Sequence, residues 1–399
     1  MERHDAVIVG ARCAGSPLAT ELARGGWDVL LIDGDEFPSD TLSTNGVWPN
    51  GLARLDALGA LDLLCERHSI RLLEHRFRVF EHEISGPFTP IGGHRLCMGP
   101  RRRALDTVLL DTALAAGAKA RLGERVKSLV GAGTDDDPVR GVVTADGETI
   151  DARWVIGADG RASTVAGALG LSKRETMRGE MGMIYAYWTG LPESPFMHFH
   201  AEADAVLSWG NAEDDTSLVI LNCRPELTRG DTEARTAAYL EGIRDFPATL
   251  EPEWLDDAER ISDLFIVPET MLRGYFRRAA GPGWVLVGDA GHFKHPSTAQ
   301  GIGDALEQAH RVAEALLGAD PDLEGYESWR DRRAAEAYEW SFNFARFPRR
   351  GGGDAVFAGL ERDPEAAQDF RDVLSRLVDP RSELFTPERL DRWFAAAAS

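Results

Sequence analysis

Six residues near the start of the chain, GARCAG at 10–15, have the makings of an anion site. They sit between an apolar run at residues 5–9, which reads as a buried parallel strand, and a helical segment with Leu18, Ala19, Leu22 and Ala23 on one face. Such a strand-to-helix turn offers free backbone N–H groups and the positive end of a helix dipole to a phosphate. The spacing is G-x-R-x-x-G. Gly10 and Gly15 permit a tight turn, with Arg12, Cys13 and Ala14 between them. Arg12 stands where a central glycine would let the backbone approach a pyrophosphate; it alters that approach and adds a cation beside a dianion. Asp33 ends the next apolar run 23 positions after Gly10, where a carboxylate can accept from a ribose hydroxyl. A plain tight turn would use the same glycines, so the loop alone does not decide the matter.

Two later segments end in the same kind of turn. WVIGADGRAST places Asp159 at the end of one strand pattern; GWVLVGDAGHFKHPSTAQGIGDAL places Asp289 at the end of another. The second runs through Pro296 to a helix that opens at Gly301 and Ile302. By its place, Asp159 is suited to cap the segment after its strand. Histidine manages protons near neutrality, which makes His292 and His295, on either side of Lys294, candidate acid–base groups. Asn45, in STNGVWP, lies in the loop after the second strand. A loop histidine is also an ordinary hydrogen-bonding residue.

These residues need a scaffold. Residues 5–33 make a βαβ unit of the usual size. Helical spacing is expected at 52–66 and at 105–116, with alternating strand patterns at 70–84 and strands near 126–130, 142–145 and 154–160. GAGTDDDPVRG reads as a hairpin loop. From about 180 to 267 strand-like runs follow one another without helices between them, which predicts an antiparallel sheet inserted into the α/β domain. Tyr185, Tyr187, Trp188, His198, His200 and Trp209 stud these runs, and those sharing a face could line an aromatic pocket. A long helix is expected over 301–317. The tail from 334 reads as mostly helical, interrupted by RRGGG at 349–353. The fold class is therefore α/β: a Rossmann-type domain from 1–75, 95–178 and 270–325, a mainly antiparallel substrate domain from 76–94 and 179–269, and a helical region from 326–399.

Composition narrows the partners. The 399 residues carry 65 acidic and 44 basic side chains, a net charge of -21, which disfavours nucleic acid and anionic membranes. No apolar stretch approaches the roughly 20 residues that span a bilayer. The opening MERHDAVIVG lacks a secretion-signal layout, and Cys13, Cys65, Cys97 and Cys223 form no CxxC pair. Reduced thiols in the cytoplasm are expected. The sequence leaves the oligomeric state open.

Taken together, the Gly-rich loop, the strand-end DG and the strand-end GD with its Pro-containing loop resemble the group A flavoprotein monooxygenases, built like para-hydroxybenzoate hydroxylase. The resemblance covers about 1–175 and 270–325. It implies FAD as cofactor, NADPH or NADH as co-substrate, and O2 and a small organic molecule as substrates, with hydroxylation or epoxidation through a C4a-hydroperoxyflavin. It also implies that residues 10–15 hold the pyrophosphate and Asp33 the adenosine ribose. Arg102, with Arg101 and Arg103 as rivals in register, contacts the cofactor. Val126 lies beside the adenine, Asp159 contacts cofactor or nicotinamide nucleotide, and Asp289 takes a ribityl or ribose hydroxyl. The loop of Asn45 faces the flavin, which makes Asn45 a third catalytic candidate. Gly301 and Ile302 offer N–H groups to the flavin's pyrimidine edge. Besides Arg12, two positions depart from the pattern: Gly303 replaces an asparagine and Ala166 an arginine. No second strand–GxGxxG–helix unit is present for the nicotinamide. Halogenase relatives typically carry W-x-W-x-I-P, which this chain lacks. Geranylgeranyl-type reductases share the loops, and a non-redox cyclase or binding protein with structural FAD is the alternative from another class.

Overall fold

The structure, a computed structural model, describes residues 3–318, 323–348 and 352–397. The first three residues of the RRGGG interruption lie outside the described residues.

One sheet has the strand order Ala280–Gly281, Trp284–Leu286, Thr149–Gly157, Arg3–Val9, Val29–Asp33, Lys119–Leu122. From Trp284–Leu286 onward all neighbours pair in parallel. A hairpin of Val126–Val130 and Gly141–Thr144 joins the Thr149–Gly157 strand antiparallel, with the expected loop between its arms. Val7, Ile8, Leu31 and Ile156 are wholly buried because parallel strands are covered on both faces. One cover is built from helices Gly15–Arg24, Arg102–Ala115 and Gly301–Leu317, whose apolar faces share a core with the sheet. In the last of these, Ala305, Leu306, Ala309, Val312, Ala313 and Leu316 recur at helical spacing and are all buried. The segment read as one helix at 52–66 is two, Pro49–Ala57 and Ala60–Arg67, separated at Gly59 in the left-handed region (φ 70°).

The second sheet contains strands Gly182–Thr189, Phe196–Ala201, Ala205–Asn211 and Thr216–Cys223 in antiparallel pairs, as the run of strand patterns predicted. One edge differs: Phe196–Ala201 pairs in parallel with Glu74–Val79, which continues into His82–Gly86. The region also contains helices, Thr232–Arg244 and Pro252–Asp257, after the four strands. Tyr239, Ile243 and Leu255 from these helices bury the Ile184, Trp188, Trp209 and Leu221 face of the sheet. The opposite face, carrying Met183, Tyr185, Tyr187 and Ile220, turns toward the Rossmann-type domain. Helices Leu323–Phe344, Gly352–Arg362, Pro364–Leu374 and Pro387–Ala397 close the molecule, and Phe370 packs among Phe77, Phe344 and Phe357.

Candidate cofactor and active site

The three sequence motifs meet at the C-terminal ends of neighbouring parallel strands, where open α/β sheets bind ligands. Gly10 has φ 104°, and a Cβ there would lie 2.5 Å from the carbonyl oxygen of Ala158. Only glycine lets the first loop and the DG turn approach so closely. A Cβ on Gly288 would meet that of Ala14 at 3.1 Å, so the GD turn abuts the same loop. Asp33 fastens the loop from inside: its carboxylate accepts from the N–H of Ala11 (2.7 Å) and of Asp35 (2.9 Å).

Arg12 departs from expectation. Its guanidinium is committed to Asp106 (2.8 Å), Asp35 (2.9 Å) and Ser39 Oγ (2.9 Å), so it braces the loop through carboxylates rather than standing as a free cation for phosphate. Asp106 is fully buried and also binds Arg102 (Nε 3.0 Å) and the Cys13 thiol (3.1 Å). Burial pushes the Cys13 thiol far up, which leaves it a small packing residue. Arg101 turns instead to Asp40 (2.5 Å) and lies over the Tyr187 ring, and Arg103 is exposed; Arg102 shares Asp106 with Cys13 and so stands beside the loop. Val126 is buried and pairs with Thr144.

The two strand-end aspartates have different partners. Asp159 Oδ2 accepts from the backbone N–H of Thr164 (2.6 Å) and Val165 (3.2 Å), so it caps the short helix Thr164–Ala168, the structural one of its two readings. Its other oxygen is buried without a partner. The Asp289 carboxylate has no hydrogen-bond partner among the described residues. Burial pushes its pKa up to about 6, against the opposing pull of Arg161 and Arg102. The turn that holds it is fixed from two sides: Tyr275 Oη donates to its carbonyl (2.7 Å), and Gly288 N–H donates to Gln308 Oε1 (2.9 Å). A partly enclosed carboxylate lacking a donor fits a ligand that brings a hydroxyl group. The helix Gly301–Leu317 adds a second fit. A Cβ on Gly301 would meet nothing within 4 Å, so space remains open over a helix N-terminus. At Gly303 the Asn50 amide lies 3.0 Å from where a Cβ would stand, so an asparagine from another helix occupies the space beside the position the family gives to asparagine. The open helix start and the unpartnered carboxylate fit FAD as the cofactor.

The three catalytic candidates, Asn45, His292 and His295, are all buried. Asn45 is wholly buried at φ 57°, and its amide donates to Tyr187 Oη (2.7 Å); it shapes the loop that Tyr185 also holds by accepting from Ser43 N–H. His292 stacks on Phe276, and its Nδ1 lies 3.2 Å from the carbonyl of Tyr275. Burial, aided by Lys294 and Arg330, pushes its pKa down to about 3. His295 accepts from Ser297 N–H (3.2 Å) and caps a turn; burial holds it at about 3 as well. In both, burial disfavours the charged form of the ring.

A pocket of about 510 Å3, counting its part open to solvent, lies between the cofactor segments and the inserted sheet. Thr44, Pro296, Ser297 and Ala299 form one wall; Met183, Met197, Phe199, Leu218, Ile220 and Asn222 belong to the other. No ionisable side chain lines it among the described residues. Of the aromatic residues flagged on the middle strands, Trp188 packs into the helix-covered core, and Trp209 shares that core while also touching the pocket. Tyr185 and Tyr187 hold the 43–46 loop. Sequence reading missed the buried group of Lys294, Asp304 and Arg376, whose members come together only through the fold.

The strand order, the converging turns and the open helix N-terminus define an FAD-binding oxidoreductase. The family model described as FAD binding domain matches residues 3–341. The chain belongs to that family, the one that contains the group A flavoprotein monooxygenases. It is 30% identical to a menaquinone reductase of Mycobacterium tuberculosis over 79% of this chain and 77% of that protein. It is 27% identical to the 6-methylpretetramide 4-monooxygenase of Streptomyces rimosus over 76% and 73%. A flavoprotein/dehydrogenase structure from Cytophaga hutchinsonii superimposes with a TM-score of 0.80 at 17% identity, covering 99% of this chain and 100% of the other. Among the described residues no helix is long and apolar enough to cross a membrane.

Proposed function

We propose that this protein is an FAD- and NAD(P)H-dependent monooxygenase acting on an uncharged, largely apolar cyclic compound with a few hydrogen-bonding groups. The observation that carries this reading is the pocket wall: cofactor segments face the sheet across a cavity without an ionisable side chain. Bound FAD supplies the redox and oxygen chemistry. The chain's contribution is to bind, orient and shield. Met183, Met197, Phe199 and Ile220 exclude water from the space over the ring seat, while Thr44, Ser208, Asn222 and Ser297 supply polar contacts that orient the substrate. Neutral surroundings also favour a neutral substrate, because burying an unpaired charge there would cost several kcal/mol.

A second reading, reduction of a ring or prenyl double bond, is favoured by the 30% identity to a menaquinone reductase. One experiment separates them. Purified holoenzyme is offered menaquinone and a set of aromatic polyketides with NADPH or NADH under labelled O2. Label in the product, with no conversion in the absence of O2, supports oxygenation. A product that gains two hydrogens with or without O2 establishes the reductase. A chain that neither converts these compounds nor bleaches its flavin with either nucleotide overturns both.

A further inference from the structure

Between Asp289 and the helix that opens at Gly301, the chain buries a lysine. Lys294 is 6% exposed, and its ammonium group is bonded to Asp304 in the first turn of that helix. Arg376, which follows the C-terminal helix Pro364–Leu374, brings Nε within 3.5 Å of the other Asp304 oxygen. That Nε has no hydrogen-bond partner, while its Nη2 is spent on the carbonyl of Arg333. Burial resists ionisation of Asp304, but Lys294 and Arg376 outweigh it and hold the carboxyl below its usual range. The neighbouring His292 is neutral. Arg333 has its own counter-charge in Glu307 at 3.8 Å.

Two cations therefore face one carboxylate. The excess positive charge lies beneath a helix N-terminus that is itself partly positive. A fold that gathers such charge out of water does so at a cost unless an anion arrives to balance it. Resting on the FAD assignment, the anion is at hand. Hydride transfer from NAD(P)H leaves oxidised nicotinamide and adds one negative charge to the flavin ring, centred on the N1–C2 edge assigned to Gly301 and Ile302. We propose that Lys294 is a positioning residue for this redox step: with Arg376, and through Asp304 and the helix N-terminus, it favours the reduced, anionic flavin over the oxidised one.

Opposite signs make the test specific. In reconstituted holoenzyme at fixed pH, the two-electron midpoint potential is measured against reference dyes for wild type, Lys294→Met, Lys294→Arg and Asp304→Asn. Lys294→Met removes a positive charge and should lower the preference for reduced over oxidised flavin about tenfold, which is about 30 mV for a two-electron couple. Asp304→Asn removes the counter-charge and should move the potential upward. Lys294→Arg keeps the charge and should stay near wild type. A residue that only supports the fold would give all three variants the same direction of shift, or none; either result overturns the proposal. If Lys294→Met does not retain FAD, an Asp304→Asn potential at or below wild type overturns it alone. The potential does not depend on whether the bound substrate is oxygenated or reduced, so failure here is separate from failure of the monooxygenase reading. A wild-type chain that takes up no FAD overturns the cofactor assignment.

Discussion

Asp289 shows how one side chain ties a motif to a measurable property. In the ligand-free protein its pKa lies near 6, mainly because burial disfavours the charge. The sign follows: a carboxyl raised in the fold adds stability below its unfolded pKa, and that contribution is lost as pH climbs through 6. A sugar hydroxyl donating to this group would favour the ionised form. FAD should therefore bind about tenfold more tightly at pH 7 than at pH 5 if the bound form titrates well below 5. Asp289→Ala should weaken FAD tenfold to a hundredfold, the effect of losing a bond worth roughly 1.5–3 kcal/mol, and should flatten the pH dependence. Titrating apoprotein with FAD at both pH values reads both effects; an unchanged dissociation constant removes Asp289 from the site. Asp289 was legible in the sequence because a strand-end GD is a local pattern. The surroundings of the histidines were not legible, for the opposite reason. Nothing local says that His292 will stack on Phe276, or that His295 will be sealed from water.

At the scale of elements, the cofactor helix was legible to the residue. Its apolar spacing and the glycine at its start are both encoded within the segment Gly301–Leu317. The helix Thr232–Arg244 escaped notice because only Tyr239 and Ile243 are buried along it, too sparse a stripe for a periodic signal. The parallel pairing of Glu74–Val79 with Phe196–Ala201 joins segments over a hundred residues apart, and no local pattern records it. The helix start also supplies a clean separation of folding from binding. A Cβ on Gly301 meets nothing within 4 Å, whereas one on Gly10 would run into the carbonyl of Ala158 at 2.5 Å. Gly301→Val should leave the melting temperature of the apoprotein within a degree or two, since a β-branched residue costs only tenths of a kcal/mol at a helix start. It should nonetheless cut FAD affinity at least tenfold by filling the space at the ring edge. Gly10→Ala should lower the melting temperature even without FAD. Equal FAD affinity in wild type and Gly301→Val would mean that the flavin edge lies elsewhere.

At the scale of the molecule, the C-terminal helices hold the segment that leads into the helix Gly301–Leu317. Gln300, the residue before the cofactor helix, donates through Nε2 to the carbonyls of Val373 (2.8 Å) and Leu374 (3.2 Å), and Ser297 Oγ donates to the carbonyl of Ser341 (2.8 Å). Composition showed that these residues were helical but not where they dock, because docking depends on partners far away in sequence. Phe370 is the anchor. It is 1% exposed and packs against Phe77 at 5.2 Å between ring centroids, which couples the C-terminal helices to the second sheet. Phe370→Ala should cost about 3–5 kcal/mol, the usual loss for a truncated core aromatic. If the sheets and helices form one cooperative unit, that loss falls on the whole molecule. Far-UV circular dichroism and tryptophan fluorescence should then report one shared transition at a lower temperature, with FAD affinity reduced because Val373 and Leu374 hold Gln300 less firmly. Saturating FAD should raise the transition for both probes together, since a ligand that binds only the folded state stabilises everything coupled to its site. Two separate transitions in Phe370→Ala, with FAD affinity unchanged, would show that the helical region melts independently and that the flavin seat stands without it.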